Sequence, residues 1–256
     1  MNYQAASSLA AARLGTDDKF LAGGQSLLGA IKLGLASPSG LVDVRGLAEL
    51  QGITVDGKTV RIGAATTHAT VAASTDVRRA IPALADLAGR IGDRQVRNVG
   101  TLGGSLANND PAACYPAATL GLGATLHTSS RQIAADDFFQ GLFTTALQEG
   151  ELITAVSFPV PKSAGWQKFK QPASRFSLVG VFVARFDVGV RVAVTGAGPG
   201  VFRCSELEAA LARDWSPAAA RAVKVSAAGL SSDLHGTAAY RAALIPELAA
   251  RAVEAA

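Results

Sequence analysis

The sequence is short of thiols and of charge. Its 256 residues include two cysteines, one methionine and three histidines, and only 17% are Asp, Glu, Lys or Arg. Cys114 and Cys204 lie far apart in the chain. Two thiolates cannot complete a four-thiolate zinc or iron–sulfur site. The formal charge of +4 is spread thinly, and the densest basic group is Arg90, Arg94 and Arg97. This is not the concentrated stripe expected of a nucleic-acid binder. No uninterrupted apolar run is long enough to span a bilayer; the best candidate, Phe20 to Ala36, carries Lys32 and several glycines. The opening MNYQAASSLA lacks the basic and apolar regions of a secretory leader. A soluble, reduced, cytoplasmic protein is expected. A hydrophobic fraction of 49% excludes a disordered chain, and 27 glycines without a three-residue period exclude collagen.

What is present is a succession of short elements. Ser7–Leu14 reads as a short alanine-rich helix, and Phe20-Leu21-Ala22 as the end of a buried strand. Gly23–Ser26 reads as a tight turn. Leu27, Leu28, Ile31 and Leu35 then follow at helical spacing behind Ser26 as N-cap. Leu41–Val44 completes a small α/β unit. Near Ile53 the style changes to a hairpin, ITVDGKTVRIGA, with Asp56-Gly57 supplying positive φ angles. Thr66–Ser74 and Val77–Arg90 read as helices, with Pro82 where a first turn tolerates it. Ala124–Thr128 and Glu151–Phe158 read as strands. Pro159-Val160-Pro161 marks a boundary. Beyond it lie strands at Trp166–Gln171, Ser177–Phe186 and Val188–Thr195, with a turn over Asp187–Gly189. Helices follow at Ser205–Ala212, Pro217–Ala228 and Thr237–Ala256. The pattern divides the chain into 1–52, 53–159 and 160–256, an α+β protein of three parts.

Two segments share one form: Ala22-Gly23-Gly24-Gln25-Ser26 and Thr101-Leu102-Gly103-Gly104-Ser105. Glycine lets the backbone approach a ligand with no Cβ in the way, and successive N–H groups in such turns make an anion-binding concavity. The hydroxyls of Ser26, Thr101 and Ser105 add donors for phosphate oxygens. Neither segment has the Gly-Lys-Ser/Thr of a P-loop or the G-x-G-x-x-G fingerprint. Glycine-polar turns are also ordinary punctuation between strands and helices. Chemistry alone reaches a dinucleotide-phosphate site or a structural turn at each place.

Taken together, LAGGQSLLGAIKLGLASPSGLVDV, IGDRQVRNVGTLGGSLANNDPAACYPA and ADDFFQGLFTTAL followed by GELITAVSFP resemble the FAD-binding (medium) subunit of molybdenum hydroxylases. That family includes the aerobic carbon monoxide dehydrogenase medium subunit and the xanthine dehydrogenase flavin domain. The resemblance runs from Tyr3 to the C-terminal helices. It implies a vanillyl-alcohol-oxidase-type FAD-binding fold. Its parts are a small N-terminal α/β subdomain, a middle α+β subdomain and a C-terminal three-stranded antiparallel sheet with helices. FAD lies between the first two. Relative to common members the chain starts late, which implies a missing leading strand.

The resemblance implies the site as well. Leu21, Ala22, Gly23, Gly24, Gln25, Ser26 and Leu27 wrap one side of the pyrophosphate. Gly100, Thr101, Gly103, Gly104 and Ser105 wrap the other. Asn108, Asn109 and Asp110 fall near the ribityl or ribose oxygens. Ile91 falls near the flavin ring, and Ile153 near the ring or adenine. Cys114 stands where the family often has an aspartate on the adenosine side. Lys170 reaches the flavin pyrimidine edge, and Phe176 covers the flavin. No catalytic residue and no metal ligand are implied on this chain. The implied partners are a [2Fe–2S] small subunit and a molybdenum-cofactor large subunit, in a dimer of heterotrimers.

The remaining candidates read plainly. His68 is a partly exposed helix-start histidine. His127 and His235 have no metal-spaced partners. Cys114 is an inert buried thiol and Cys204 a structural one. Asp136-Asp137 caps a helix. Arg90, Arg94 and Arg97 form either a solvated face or a docking surface for an acidic iron–sulfur partner. The leading function is electron transfer through FAD, from the [2Fe–2S] subunit to an external acceptor. A self-contained flavin oxidoreductase needs a general base, and none is evident. A non-catalytic assembly subunit that has lost flavin is the third reading, supported only by Cys114.

Overall fold

The computed structural model describes residues 1–256. The chain opens on three parallel strands, β1 (Asn2–Ala5), β2 (Lys19–Leu21) and β3 (Gly40–Asp43), with β3 in the centre. β3 is buried throughout, as a central parallel strand requires. β1 is a leading strand, paired with β3 from Asn2↔Gly40 to Ala5↔Asp43, so the element implied to be missing is present. Its four residues are all exposed and show no alternation, which hid it in the sequence. The helix expected over Ser7–Leu14 does not form. Ser8 instead closes single turns, its carbonyl accepting from Ala11 N and Ala12 N. One turn without propagation does not offset the cost of helix nucleation.

Between β2 and β3 runs α1 (Leu27–Lys32), shorter than its apolar spacing suggested. Gly34, at φ +72°, ends it, and Leu33 and Leu35 lie exposed beyond. Ser26 precedes α1, but its hydroxyl does not cap it. A 3-10 turn over Ala48–Leu50 leads to the hairpin of β4 (Ile53–Val55) and β5 (Thr59–Gly63). In its turn only Gly57 has positive φ; the Asp56 carboxylate accepts from Lys58 N and Thr59 N instead.

Five helices follow: α2 (His68–Ala73), α3 (Thr75–Ala80), α4 (Pro82–Gly89), α5 (Arg94–Val99) and α6 (Leu102–Asn108). The single helix expected over Val77–Arg90 breaks at Ile81. Pro82 disfavours helical φ and ψ in the preceding residue and starts a new helix at its own position. Then come α7 (Tyr115–Gly121), β6 (Thr125–Thr128), β7 (Gln132–Ala134), α8 (Ala135–Phe138), a small ribbon of β8 (Phe139–Gly141) with β9 (Thr144–Thr145), and β10 (Ile153–Pro159). The middle sheet has the order β4-β5-β10-β6-β7. Asp136 does not cap α8, whose N-cap is Ala134; it binds Arg191 at 2.7 Å and so ties α8 to the next sheet.

The C-terminal sheet has four strands rather than three: β11 (Ser163–Lys170), β12 (Ser177–Arg185), β13 (Val190–Thr195) and the two-residue β14 (Phe202–Arg203). α9 (Ser205–Arg213), α10 (Pro217–Arg221) and α11 (Ala238–Glu254) cover one face. α10 stops well short of the expected Ala228.

Strand alternation explains the two main cores. Phe182 and Ala184 of β12, with Trp166 of β11, join Val60, Ile62, Leu84, Leu126 and Phe158 of the middle segment. Val179, Val181 and Val183 face the other way, onto Leu207, Leu211, Ile245 and Leu248 of the helices. A third, small core gathers Ala12, Val44, Leu47, Leu50 and Ala65. Cys114 and Cys204 are buried free thiols, one in each main core. No helix is long and apolar enough to cross a membrane.

Candidate cofactor site

A cavity of about 450 Å³ opens where the β2–α1 turn, the segment before α6, the α6–α7 loop and the start of β10 converge. Its first wall is Ala22–Leu27. The N–H groups of Gly23, Gly24, Gln25, Ser26 and Leu27 donate to no other group in the protein. Five successive free amides in one turn form a concave donor surface suited to an anion. Gly24 stands at φ +67°, which gives the turn its curl.

The facing wall is Gly100–Ser105 with Asn108 and Asp110. Its two glycines are not in a turn, as their pattern suggested; Gly103 and Gly104 form the first turn of α6. Thr101 is the N-cap, its Oγ1 accepting from Gly104 N at 3.2 Å. The wall is clamped from behind. Gly100 O accepts from His68 N at 2.9 Å, Thr66 O from Leu102 N at 3.1 Å, and Ala64 O from Gly103 N at 2.8 Å. A Cβ on Gly103 would sit 2.5 Å from the Ala64 Cβ, so glycine is required for this close packing. The Ser26 and Ser105 hydroxyls have no partner within the protein and stay available to a ligand.

Apolar side chains also line the cavity: Phe20, Val44, Leu50, Ile91, Leu152, Ile153 and Phe176. Of the residues expected to bind the cofactor, all line the cavity except Leu21, Asn109 and Lys170. Leu21 follows Phe20 on β2 and so points to the opposite face. Asn109, at φ +43°, ends α6 and donates through Nδ2 to Gly141 O and Thr144 O, pinning the β8–β9 ribbon. Lys170 is exposed beyond a register shift between Phe169 and Lys170. The shift re-aims the strand end.

The cavity's buried lysine is Lys168, which the sequence reading missed; Lys19, also in the lining, is exposed. The Lys168 Nζ donates to Arg175 O at 2.9 Å and to Cys114 Sγ at 3.4 Å. No carboxylate pairs with it. Cys114 lies within 3.7 Å of Ser177 Oγ as well.

Glu151 and His68 also line the cavity. Glu151 is a hub: it pairs with Arg131 at 3.0 Å and accepts from Thr128 Oγ1, Ser130 Oγ and Gln148 N. The Arg131 guanidinium above all, with those donors, holds its carboxyl down at about 2. This fixes the turn that presents Leu147, Leu152 and Ile153. His68 is buried rather than partly exposed, with 5% accessibility. Burial, aided by the Arg97 cation, holds its imidazole down at about 4. Glu151 sits inside GELIT and was legible as part of that segment; His68 gave no sign of burial.

The basic group divides. Arg97 turns inward and donates to Ile91 O at 2.9 Å, bracing the end of α4. Arg90 binds Asp86 and donates to Trp166 O. Arg94 alone is an exposed, unpaired cation. His127 bonds Ser157 Oγ at 2.8 Å, and His235 is exposed.

Residues 2–161 match the family described as the FAD binding domain in molybdopterin dehydrogenase. The chain is 34% identical to the carbon monoxide dehydrogenase medium chain of Hydrogenophaga pseudoflava, over 95% of this chain and 91% of that protein. It is 37% identical to the nicotine 6-hydroxylase medium subunit of Paenarthrobacter nicotinovorans, over 93% of this chain and 89% of that protein. Among solved structures, carbon monoxide dehydrogenase from Hydrogenophaga pseudoflava superposes with a TM-score of 0.89 at 34% identity. That match covers 100% of this chain and 96% of the other.

Proposed function

Because the chain belongs to the family of FAD-binding domains of molybdopterin dehydrogenases, we propose that it is the FAD-carrying electron-transfer subunit of a multi-subunit molybdenum hydroxylase. Electrons arrive from a [2Fe–2S] partner subunit and leave to an external acceptor. Substrate oxidation belongs to a separate molybdenum-cofactor subunit, and a dimer of heterotrimers is the expected assembly. Two buried cysteines cannot hold iron–sulfur clusters, so the clusters belong to another chain. The division of the chain into 1–52, 53–159 and 160–256, and the vanillyl-alcohol-oxidase-type arrangement of those parts, form part of this reading, as does a cytoplasmic location.

One observation carries it. Five consecutive free amides, Gly23 to Leu27, line one cavity with a second glycine segment and with a set of apolar side chains. A pyrophosphate between two flat, apolar end groups fits such a donor set, and FAD has that build. The amides of Gly23–Leu27 with the hydroxyls of Ser26 and Ser105 hold the phosphates. Asn108 and Asp110 stand beside the sugar oxygens, and Ile91, Phe176, Leu152 and Ile153 enclose the planar ends. Bound FAD supplies two-electron storage with one-electron entry and exit. The chain's own residues set its charge environment. Lys168, buried and without a carboxylate, favours negative charge on the cofactor. Glu151 and Arg97 brace segments of the cavity wall.

The test is transfer between subunits. Mixing the pre-reduced iron–sulfur partner with the FAD-loaded chain should bleach the flavin absorbance. If an artificial donor reduces the flavin but the iron–sulfur partner does not, the relay reading fails.

A further inference from the structure

His68 begins α2, and its ring is fixed on three sides. Its backbone N–H donates to Gly100 O at 2.9 Å. Its ring lies 5.3 Å from that of Tyr115, centroid to centroid, in a tilted stack. On the third side it meets Gly100, where a Cβ would come within 2.6 Å of Nε2. Nδ1 is sealed inside the protein with no hydrogen-bond partner. His68 lines the cavity, and its Nε2 bonds no group of the protein. Arg97 is the charged neighbour, and no carboxylate pairs with the ring.

A buried imidazole without a partner costs stability, and an apolar ring of similar size would fill the same space without that cost. Nδ1 is out of a ligand's reach, but Nε2 also bonds no protein group, and a buried histidine that lines a ligand cavity with Nε2 unpaired points to a partner that comes with the ligand. We propose that His68 is a cofactor-contacting residue, its neutral ring hydrogen-bonding the flavin nucleotide through the edge beside Gly100. Gly100 is small because any side chain there would displace the ring. Neutral imidazole serves as donor or acceptor at Nε2, according to tautomer. This inference rests on the FAD reading above.

The experiment uses the full chain stripped of flavin and titrated with FAD, following quenching of flavin fluorescence. Wild type is compared with His68→Phe, which keeps a ring, and His68→Gln, which keeps a donor and an acceptor. Thermal unfolding of each FAD-free protein controls for structure. The expected result is roughly tenfold weaker FAD binding by His68→Phe, the scale of one lost hydrogen bond. His68→Gln should recover part of the loss; the FAD-free unfolding midpoint should rise in His68→Phe, which removes the unpartnered polar atom, and should not fall in His68→Gln. Equal FAD affinity in His68→Phe and wild type would overturn the proposal. So would weakening that appears in both variants only with a matching drop in the FAD-free midpoint. Wild-type protein that does not bind FAD at all would overturn the FAD reading, and this inference with it.

Discussion

Gly23 packs directly on Gly100, with no side chain between them. A Cβ on Gly23 would come within 2.6 Å of the Gly100 Cα and collide with the Val99 carbonyl oxygen. The two glycine segments are distant in sequence, yet they meet along one seam of the cavity wall. Gly23→Ala should therefore push the free-amide turn away from the facing wall. FAD affinity should fall by at least about tenfold, and stability by about 1–3 kcal/mol, the usual cost of overpacking. Gly29→Ala is the control: nothing lies within 4 Å of a Cβ there. It should bind FAD normally and gain slightly in helix stability. Fluorescence titration and thermal unfolding check both.

The two lysines of β11 should separate cleanly. Lys168 is buried in the cavity wall, whereas Lys170 is exposed beyond the register shift. On the proposed reading Lys168, and Cys114 with it, lies at the flavin end of the cavity rather than the adenosine end; Lys168→Met then removes a cation that stabilises negative charge on reduced flavin, so the midpoint potential of bound FAD should fall. Lys170→Met should leave it unchanged. Cys114→Asp places a carboxylate beside the Lys168 ammonium and should lower the potential in the same direction as Lys168→Met. A spectroelectrochemical titration decides. A shift in Lys170→Met alone would reverse the assignment.

Glu151 makes stability depend on acid pH. Its folded-state value, about 2, lies below the ordinary carboxylate range, so its contribution is complete above an unfolded value near 4.5. That contribution disappears as pH falls from there towards 2. Glu151→Gln should cost about 2 kcal/mol at neutral pH, through the lost pairing with Arg131 and the donors left unsatisfied. Its urea stability curve should be correspondingly flatter between about pH 4.5 and 2. A wild-type slope preserved in Glu151→Gln would contradict the hub.

Gly165 offers a change that strikes the fold and spares the site. A Cβ there would collide with the Ala252 carbonyl of α11. Gly165→Ala should destabilise the chain by about 1–3 kcal/mol. FAD affinity per folded molecule should remain within about twofold of wild type, less than one hydrogen bond is worth. Equilibrium unfolding and FAD titration at low temperature together test this.

The glycine segments were legible because close backbone contact leaves a residue-type signature: only glycine fits at Gly23 and Gly103. β12 was legible as a nearly continuous apolar run, which its burial on both faces demands. What escaped depended on tertiary context. Lys168 and Lys170 are indistinguishable in a strand pattern, and the register shift that separates them has no local marker. His68 looked like a surface residue at a helix start; Tyr115 and Gly100, both distant in sequence, bury it. β1 is exposed along its length and holds its place only through pairing with β3. The helix expected over Ser7–Leu14 followed alanine propensity, which a single unsupported turn does not sustain.

The most direct test of the central claim is the flavin content of the native complex containing this chain. The flavin would be released by denaturation, identified by chromatography and counted against the chain. The result expected is FAD, non-covalently held, in one-to-one ratio with the chain. Gly23→Ala should lower that ratio. A native complex that carries no flavin, or whose FAD content is indifferent to Gly23→Ala, would contradict it.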